Sequence, residues 1–346
     1  MRLALLAVSV CSAAKASFVP TAELPDLLTS NDGSPVKTAA QWSQRRDELK
    51  VLLQDHILGT LPTGTPALLR ATAINTTVGK RGISSCYARL AFRANATTVE
   101  FDIELAWPTS ATEPLPLVLT QWNHRSWAMQ GVQRGYMMVL YPGADTRDAS
   151  GAFRAAYPEA SMRKIMARAF VASRTLDALL VKDGSAVLGA KLPAIDASRV
   201  TITGHSRNGK QSLIAAAFDE RITAVVGSSP GTPVSAPVRF SSPDFNGETT
   251  KYVTDARDWW LPSLHSYLGR EHELPVDGHM ILALVAPRHA MLATARSDGE
   301  GDVSFADEQN ILANRPVWKL LTGSEDGIRI KWREGRHHGR ENGILF

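Results

Sequence analysis

The chain has 346 residues, 44% of them hydrophobic and 21% charged, ordinary proportions for a globular protein with length enough for a full core. Its net charge of +4 is spread along the sequence without a basic block, which argues against nucleic-acid binding and leaves a mild preference for acidic partners. Past the first residues nothing is long and apolar enough to span a bilayer, so a membrane is not an expected partner either.

In chain order, residues 1–16 carry one early positive charge at Arg2, a short apolar stretch and small residues ending in Ala14-Lys15-Ala16. This is the pattern of a secretory signal peptide, and it predicts a secreted, extracellular protein with one domain over residues 17–346. The glycosylation sequons Asn75-Thr76-Thr77 and Asn95-Ala96-Thr97 fit that route. Cys11 would leave with the leader, so Cys86 stands alone, is read as a buried apolar residue, and leaves stability to the core.

Residues 42–58 read as an amphipathic helix, broken by Gly59-Thr60-Leu61-Pro62-Thr63-Gly64-Thr65-Pro66. The alternation over 69–107 predicts an antiparallel start to a sheet. Beyond it, short buried strands at 115–121, 136–141, 200–203, 222–227 and 290–295 alternate with helices at 160–181, 210–217 and 278–285. Such alternation predicts an α/β fold, a three-layer sandwich around a mainly parallel sheet.

In such a sheet, chemistry sits beyond the carboxyl ends of the strands. Gly204-His205-Ser206-Arg207-Asn208-Gly209-Lys210 lies between the β-branched run 199–203 and an alanine-rich helix. A glycine-bounded turn of this kind pushes the serine hydroxyl out of the backbone at a helix N-terminus, so Ser206 is the candidate nucleophile. The motif departs from G-x-S-x-G, because its second glycine comes one residue late, at Gly209. After the strand ending at Thr120, the backbone around Trp122 and Asn123 is the candidate oxyanion wall, together with Arg207. After Ala295, the loop Arg296-Ser297-Asp298-Gly299-Glu300-Gly301-Asp302 offers three acids. Asp298 is nearest the strand end and leads; Glu300 and Asp302 are the alternatives. After residues 328–332, His337 and His338 are both candidates for the base. The remaining histidines (His56, His124, His265, His272, His279 and His289) lack metal-ligand spacing, so neither metal nor cofactor is expected.

With these motifs in place, the chain resembles the glucuronoyl esterases of carbohydrate esterase family 15 from about Trp42 onward. The resemblance rests on the segment 204–210, on Leu274-Pro275-Val276-Asp277-Gly278-His279 leading to Ala283-Leu284-Val285-Ala286-Pro287-Arg288, and on the opening helix from Trp42 to Gly59-Thr60-Leu61-Pro62. It implies an α/β-hydrolase fold and cleavage of the ester between glucuronic acid on xylan and lignin alcohols. It also implies that Ser206 is the nucleophile, Arg207 an oxyanion stabiliser and Lys210 a contact to sugar hydroxyls, with Trp259 or Trp260 near a substrate tryptophan. Glu248 is counted with the substrate-binding residues. Arg125 and Lys210 are the cations expected to attract a uronate, and Trp122, Trp259 and Trp260 the apolar faces for sugar or aryl groups.

Two departures stand out. Fungal members carry a cysteine before the serine, bridged to one beside the histidine, where this chain has His205 and no second cysteine. Many also carry a glutamate after the next strand, where this chain reads Gly227-Ser228-Ser229-Pro230-Gly231. The triad carboxylate must then come from the 298–302 loop, as in some bacterial members. The expected function is a secreted, monomeric serine esterase resembling 4-O-methyl-glucuronoyl methylesterase, acting on uronate esters of plant or algal polysaccharide or on small esters. The alternatives are an acetylxylan or general carboxylesterase on the same triad, or an inactive carbohydrate-binding homologue.

Overall fold

A computed structural model describes residues 23–180, 192–240, 248–255, 258–299 and 304–338. The expected signal peptide, Glu300 and Asp302 lie outside the described residues. The alternating segment forms three antiparallel strands, β1 (Ala67–Lys80), β2 (Ile83–Ala94) and β3 (Thr97–Pro108). Along β2 every second residue turns inward, so Ser84, Cys86, Ala88 and Leu90 are buried. Cys86 faces Leu105 across the ladder, and burial pushes its thiol pKa up.

Beyond β3 the chain turns to parallel pairing: β4 (Leu115–Gln121), β5 (Met137–Tyr141), a ribbon of β6 (Gly143–Ala144) and β7 (Arg147–Asp148), then β8 (Ile195–His205), β9 (Ala224–Ser228), β10 (His289–Ala295) and β11 (Ile328–Arg333). The large sheet has nine strands in the order β1-β2-β3-β5-β4-β8-β9-β10-β11 among the described residues. β3 joins β5 antiparallel, and every pair from β5 to β11 is parallel. The helices are α1 (Ala39–Leu53), α2 (Arg125–Gln133), α3 (Ser150–Ala156), α4 (Lys164–Leu179), α5 (Arg207–Phe218), α6 (Thr250–Thr254), α7 (His279–Ala283) and α8 (Ser304–Thr322).

Alternate residues of the central strands face two layers. Leu117, Leu119, Met137 and Val139 join the main core with α4 and α5, whereas Val118, Met138 and Leu140 pack with Ala128 and Val132 of α2. This is the expected three-layer arrangement. α1 ends in a π-helical turn over Gln54–Leu58 and stops at Gly59, where φ is +74°. A Cβ there would lie 2.0 Å from the Ser161 carbonyl oxygen, so the break needs glycine.

The fold departs from expectation at α8, a 19-residue helix that sequence reading did not separate from the loop and strand around it. Its inward stripe includes Asp307, Asn310 and Asn314, all fully buried, and Pro316 lies inside it. Polar groups on the buried face erase the apolar period that marks a helix. Asn310 instead donates to the carbonyls of Val234 and Ser235, and Asn314 to that of His279, so both amide groups are held by backbone carbonyls.

Parallel register then aligns the strand ends. His205 pairs with Ser228, Ser228 with Ala293, and Ala295 with Arg333. The loops after β8, β9, β10 and β11 therefore open side by side along one edge.

Candidate active site

Ser206 is the single residue between β8 and α5, with φ +57° and ψ −131°. A non-glycine residue in such a region costs on the order of 1–3 kcal/mol and persists only where its surroundings impose it. Here the Ser206 amide donates to the Ser228 carbonyl at 2.8 Å, and its own carbonyl accepts from Lys210 at 3.0 Å. The late glycine has a packing reason. A Cβ on Gly209 would lie 3.0 Å from Gly204 O and 3.2 Å from Ser228 O, so glycine lets α5 sit against β8 and β9. Gly204 is tighter still, with Asn208 O 2.4 Å from where its Cβ would stand.

Of the two candidate histidines, His337 is 3% exposed and His338 is exposed. Nδ1–H of His337 donates to Oδ1 of Asp298 at 2.8 Å, and the His337 amide donates to the Asp298 carbonyl at 3.1 Å. The carboxylate is itself buried, with 0% of its side chain exposed. Arg333, at the end of β11, clamps this loop by donating to the carbonyls of Arg336 and His337 and to Ser229 Oγ. The stretch 229–231 directly after β9 holds no acid, and the carboxylate bonded to His337 comes from the loop after β10.

A second imidazole lies against the first. The His205 ring is 4.6 Å from that of His337 and 5.4 Å from that of His338, centroid to centroid. Its Nδ1 bonds Ser228 Oγ at 3.1 Å. Burial, aided by the positive field of His337 and Arg333, lowers its pKa to about 2, so it stays neutral. His205, the residue before Ser206, thus packs against His337 and His338.

The loop after β4 forms the other wall. Asn208, on the first turn of α5, donates to Asn123 Oδ1 at 3.0 Å and ties that loop to the elbow. Asn123 is exposed, whereas Trp122 is buried, stacked on Tyr87 at 5.9 Å with the Arg147 guanidinium 4.0 Å over its ring. Nε of Arg207 pairs with Asp145 at 2.8 Å, and fully buried Arg168 holds Asp145 from the other side. Asp145, Asn208, Ser228 and Arg333 were missed by sequence reading. Only the folded register brings them to the edge.

Four substrate assignments need correction. Lys210 is fully buried, and its ammonium donates to the Pro230 and Thr232 carbonyls and to Glu248. Its three donors are occupied, so a sugar hydroxyl reaches it only by displacing one acceptor. Glu248 is brought beside it, and burial raises the pKa of the carboxyl. Arg125 is not an open cation: its guanidinium makes a bidentate pair with fully buried Glu104 of β3, at 2.9 and 2.7 Å. Trp259 and Trp260 are buried in the main core, and the segment is pinned where Asp258 O accepts from Lys164 N and Leu261 N donates to Ile57 O. Neither indole is an open face for a sugar. The 274–279 motif is structural as well: buried Asp277 accepts from the amides of Val238 and Gly278 and from Arg239, and His279 Nε2 meets Pro25 O.

A strained serine at a helix start, a carboxylate-bonded imidazole and a polar wall fit nucleophilic acyl chemistry. The family model for glucuronyl esterase of fungi matches residues 90–322. A curated 4-O-methyl-glucuronoyl methylesterase from Hypocrea jecorina is 30% identical over 81% of this chain, which spans 59% of that relative's length. The solved glucuronoyl esterase catalytic domain from Hypocrea jecorina superposes with a TM-score of 0.74 at 25% identity, covering 93% of this chain and 85% of its own. A glucuronoyl esterase from Solibacter usitatus shares the fold, with a TM-score of 0.75 over 92% of this chain and 94% of its own at 22% identity. The chain therefore belongs to the glucuronyl esterase family, carbohydrate esterase family 15, and has its α/β-hydrolase fold.

Proposed function

We propose that this chain is a serine esterase that cleaves uronate esters, with Ser206 as nucleophile, His337 as base and Asp298 as the orienting acid. The observation that carries the reading is the buried 2.8 Å bond from His337 to Asp298, on the same sheet edge as the strained Ser206. His337 Nε2 takes the Ser206 proton as Oγ attacks the ester carbonyl, and Asp298 stabilises the imidazolium that forms. Amides at Arg207 and around Trp122 and Asn123 receive the oxyanion. Loss of one such donor typically costs about 10²–10³ in rate. The imidazolium then returns its proton to the departing alcohol, and water releases the acid from Ser206 by the same steps in reverse order.

The activity for which the relatives are named, 4-O-methyl-glucuronoyl methylesterase, supports glucuronate as the acid side. Arg125 and Lys210 are both neutralised; Arg207, next to the nucleophile in sequence, also pairs with Asp145 but keeps 39% of its side chain exposed. The chain acts as a monomer after export directed by residues 1–16, on polysaccharide-borne or small esters. No helix among the described residues is long and apolar enough to cross a membrane.

The test is hydrolysis of benzyl glucuronate beside a plain acetyl ester, with the wild type and Ser206→Ala. Cleavage of the uronate ester, lost in the variant with thermal unfolding little changed, is expected. Turnover surviving in Ser206→Ala overturns the reading, and cleavage of the acetyl ester alone moves the chain to a general esterase.

A further inference from the structure

The strand-end register assembles a donor set whose members are 132 positions or more apart in sequence on one side and adjacent on the other. Among the described residues, one ring nitrogen from each of His205, His337 and His338 lies within 4.8 Å of the others. Three converging imidazoles make the protein donor set of a zinc site, where each Zn–N bond is about 2.0–2.1 Å. Bonds of that length at tetrahedral angles put ligand nitrogens about 3.4 Å apart. The remaining closure falls on His338, the exposed member.

The His205 ring supplies an independent pointer. It is 7% exposed, its Nδ1 is engaged by Ser228, and its buried Nε2 has no hydrogen-bond partner among the described residues. A buried imidazole nitrogen left without a partner has lost its hydration with nothing in return, and a bound cation would compensate it. The second ring is prepared in the same sense: Asp298 holds Nδ1 of His337, the carboxylate–histidine arrangement that orients a metal-bound imidazole and raises its basicity. Arg333 opposes a cation here, and the Asp298 carboxylate favours one.

We propose that His205, His337 and His338 bind a divalent transition-metal ion, zinc in the first instance, and that occupancy reversibly switches the esterase off. The metal takes the Nε2 lone pair that His337 needs to accept the Ser206 proton. The inhibitory half of this inference rests on the function proposed above; the binding half does not.

The experiment titrates the purified full chain with zinc chloride by calorimetry, and with cobalt(II) chloride by visible absorption, while benzyl glucuronate hydrolysis is followed in parallel. One equivalent should bind, give the intense bands of tetrahedral cobalt, and suppress hydrolysis until a chelator is added. His338→Gln, at an exposed position, should weaken binding by more than about 100-fold, since loss of an outer-shell partner alone costs about 10–100-fold, and raise the inhibitory metal concentration in step; His205→Gln should do the same. Absence of one-to-one binding at 100 µM metal overturns the proposal. So does equal affinity in the wild type and His338→Gln, or full hydrolysis with the site saturated. A cobalt spectrum that depends on these histidines in a protein with no esterase activity keeps the metal site and sinks the functional reading instead.

Discussion

His205 and His337 sit in near-identical settings and are built for different work. Each ring is buried at the carboxyl edge of the sheet, each uses Nδ1 for a hydrogen bond to a neighbouring strand end, and the two are 4.6 Å apart. The partner of His205 is the Ser228 hydroxyl at 3.1 Å; the partner of His337 is the Asp298 carboxylate at 2.8 Å. A hydroxyl cannot stabilise an imidazolium as an anion does, and burial leaves His205 neutral with a pKa lowered to about 2. A carboxylate, by contrast, meets the positive charge a general base acquires when it takes a proton. Between these two loops, one charge separates a packing histidine from a candidate base.

The sharpest break of this contrast comes from its anionic side. Asp298→Asn should lower kcat/KM for benzyl glucuronate by on the order of 10³–10⁴, since an amide favours the wrong tautomer of His337; steady-state kinetics measures it. His337→Gln should cost at least as much, whereas His338→Gln without metal should change kcat/KM by less than about tenfold. Away from the site, Glu104→Gln should destabilise the fold by about 1–3 kcal/mol in urea unfolding, because it removes the anion from a bidentate pair. Its kcat/KM should be unchanged, because Arg125 serves Glu104 and not the substrate.

Buried Asp307 offers a smaller, pH-dependent test. Desolvation, reinforced by the negative charge of Asp298, pushes its pKa up to about 7 despite hydrogen bonds from Thr294 and Ser235. Between about pH 4 and pH 7 the folded state therefore holds a proton that the unfolded chain releases. Stability should fall as pH rises through that window, by at most about 1.4 kcal/mol per unit. Asp307→Asn should flatten the fall, as denaturant midpoints across the window will show. Ser228→Ala should have the smallest effect on turnover, within about fivefold, since His205 stays neutral with or without the hydroxyl.

Much of this was legible before any coordinates. The β-branched run ahead of Gly204 and the helix after Lys210 marked the elbow, because a turn that tight admits few residues at its flanks. The strands at 115–121 and 290–295 announced themselves by short apolar runs between turn residues. What escaped was what depends on facing. His337 and His338 are neighbours in one loop, and only the loop's path decides which turns toward Asp298. Asp298 led its loop by proximity to the strand end, and its carboxylate bonds His337. The pairing of Arg125 with Glu104, 21 positions earlier, left no local trace, and neither did the burial of Lys210, Trp259 and Trp260. α8 was missed because its buried stripe is polar.

The most direct test of the central claim is covalent trapping. The wild type, Asp298→Asn and Ser228→Ala are each treated with a fluorophosphonate, and the labelled residue and labelling rate are read by mass spectrometry. Labelling of Ser206 in the wild type and Ser228→Ala at similar rates, with Asp298→Asn slower by about 10³, is the predicted result. Equal labelling of Asp298→Asn and wild type, or a label on any residue other than Ser206, contradicts the account.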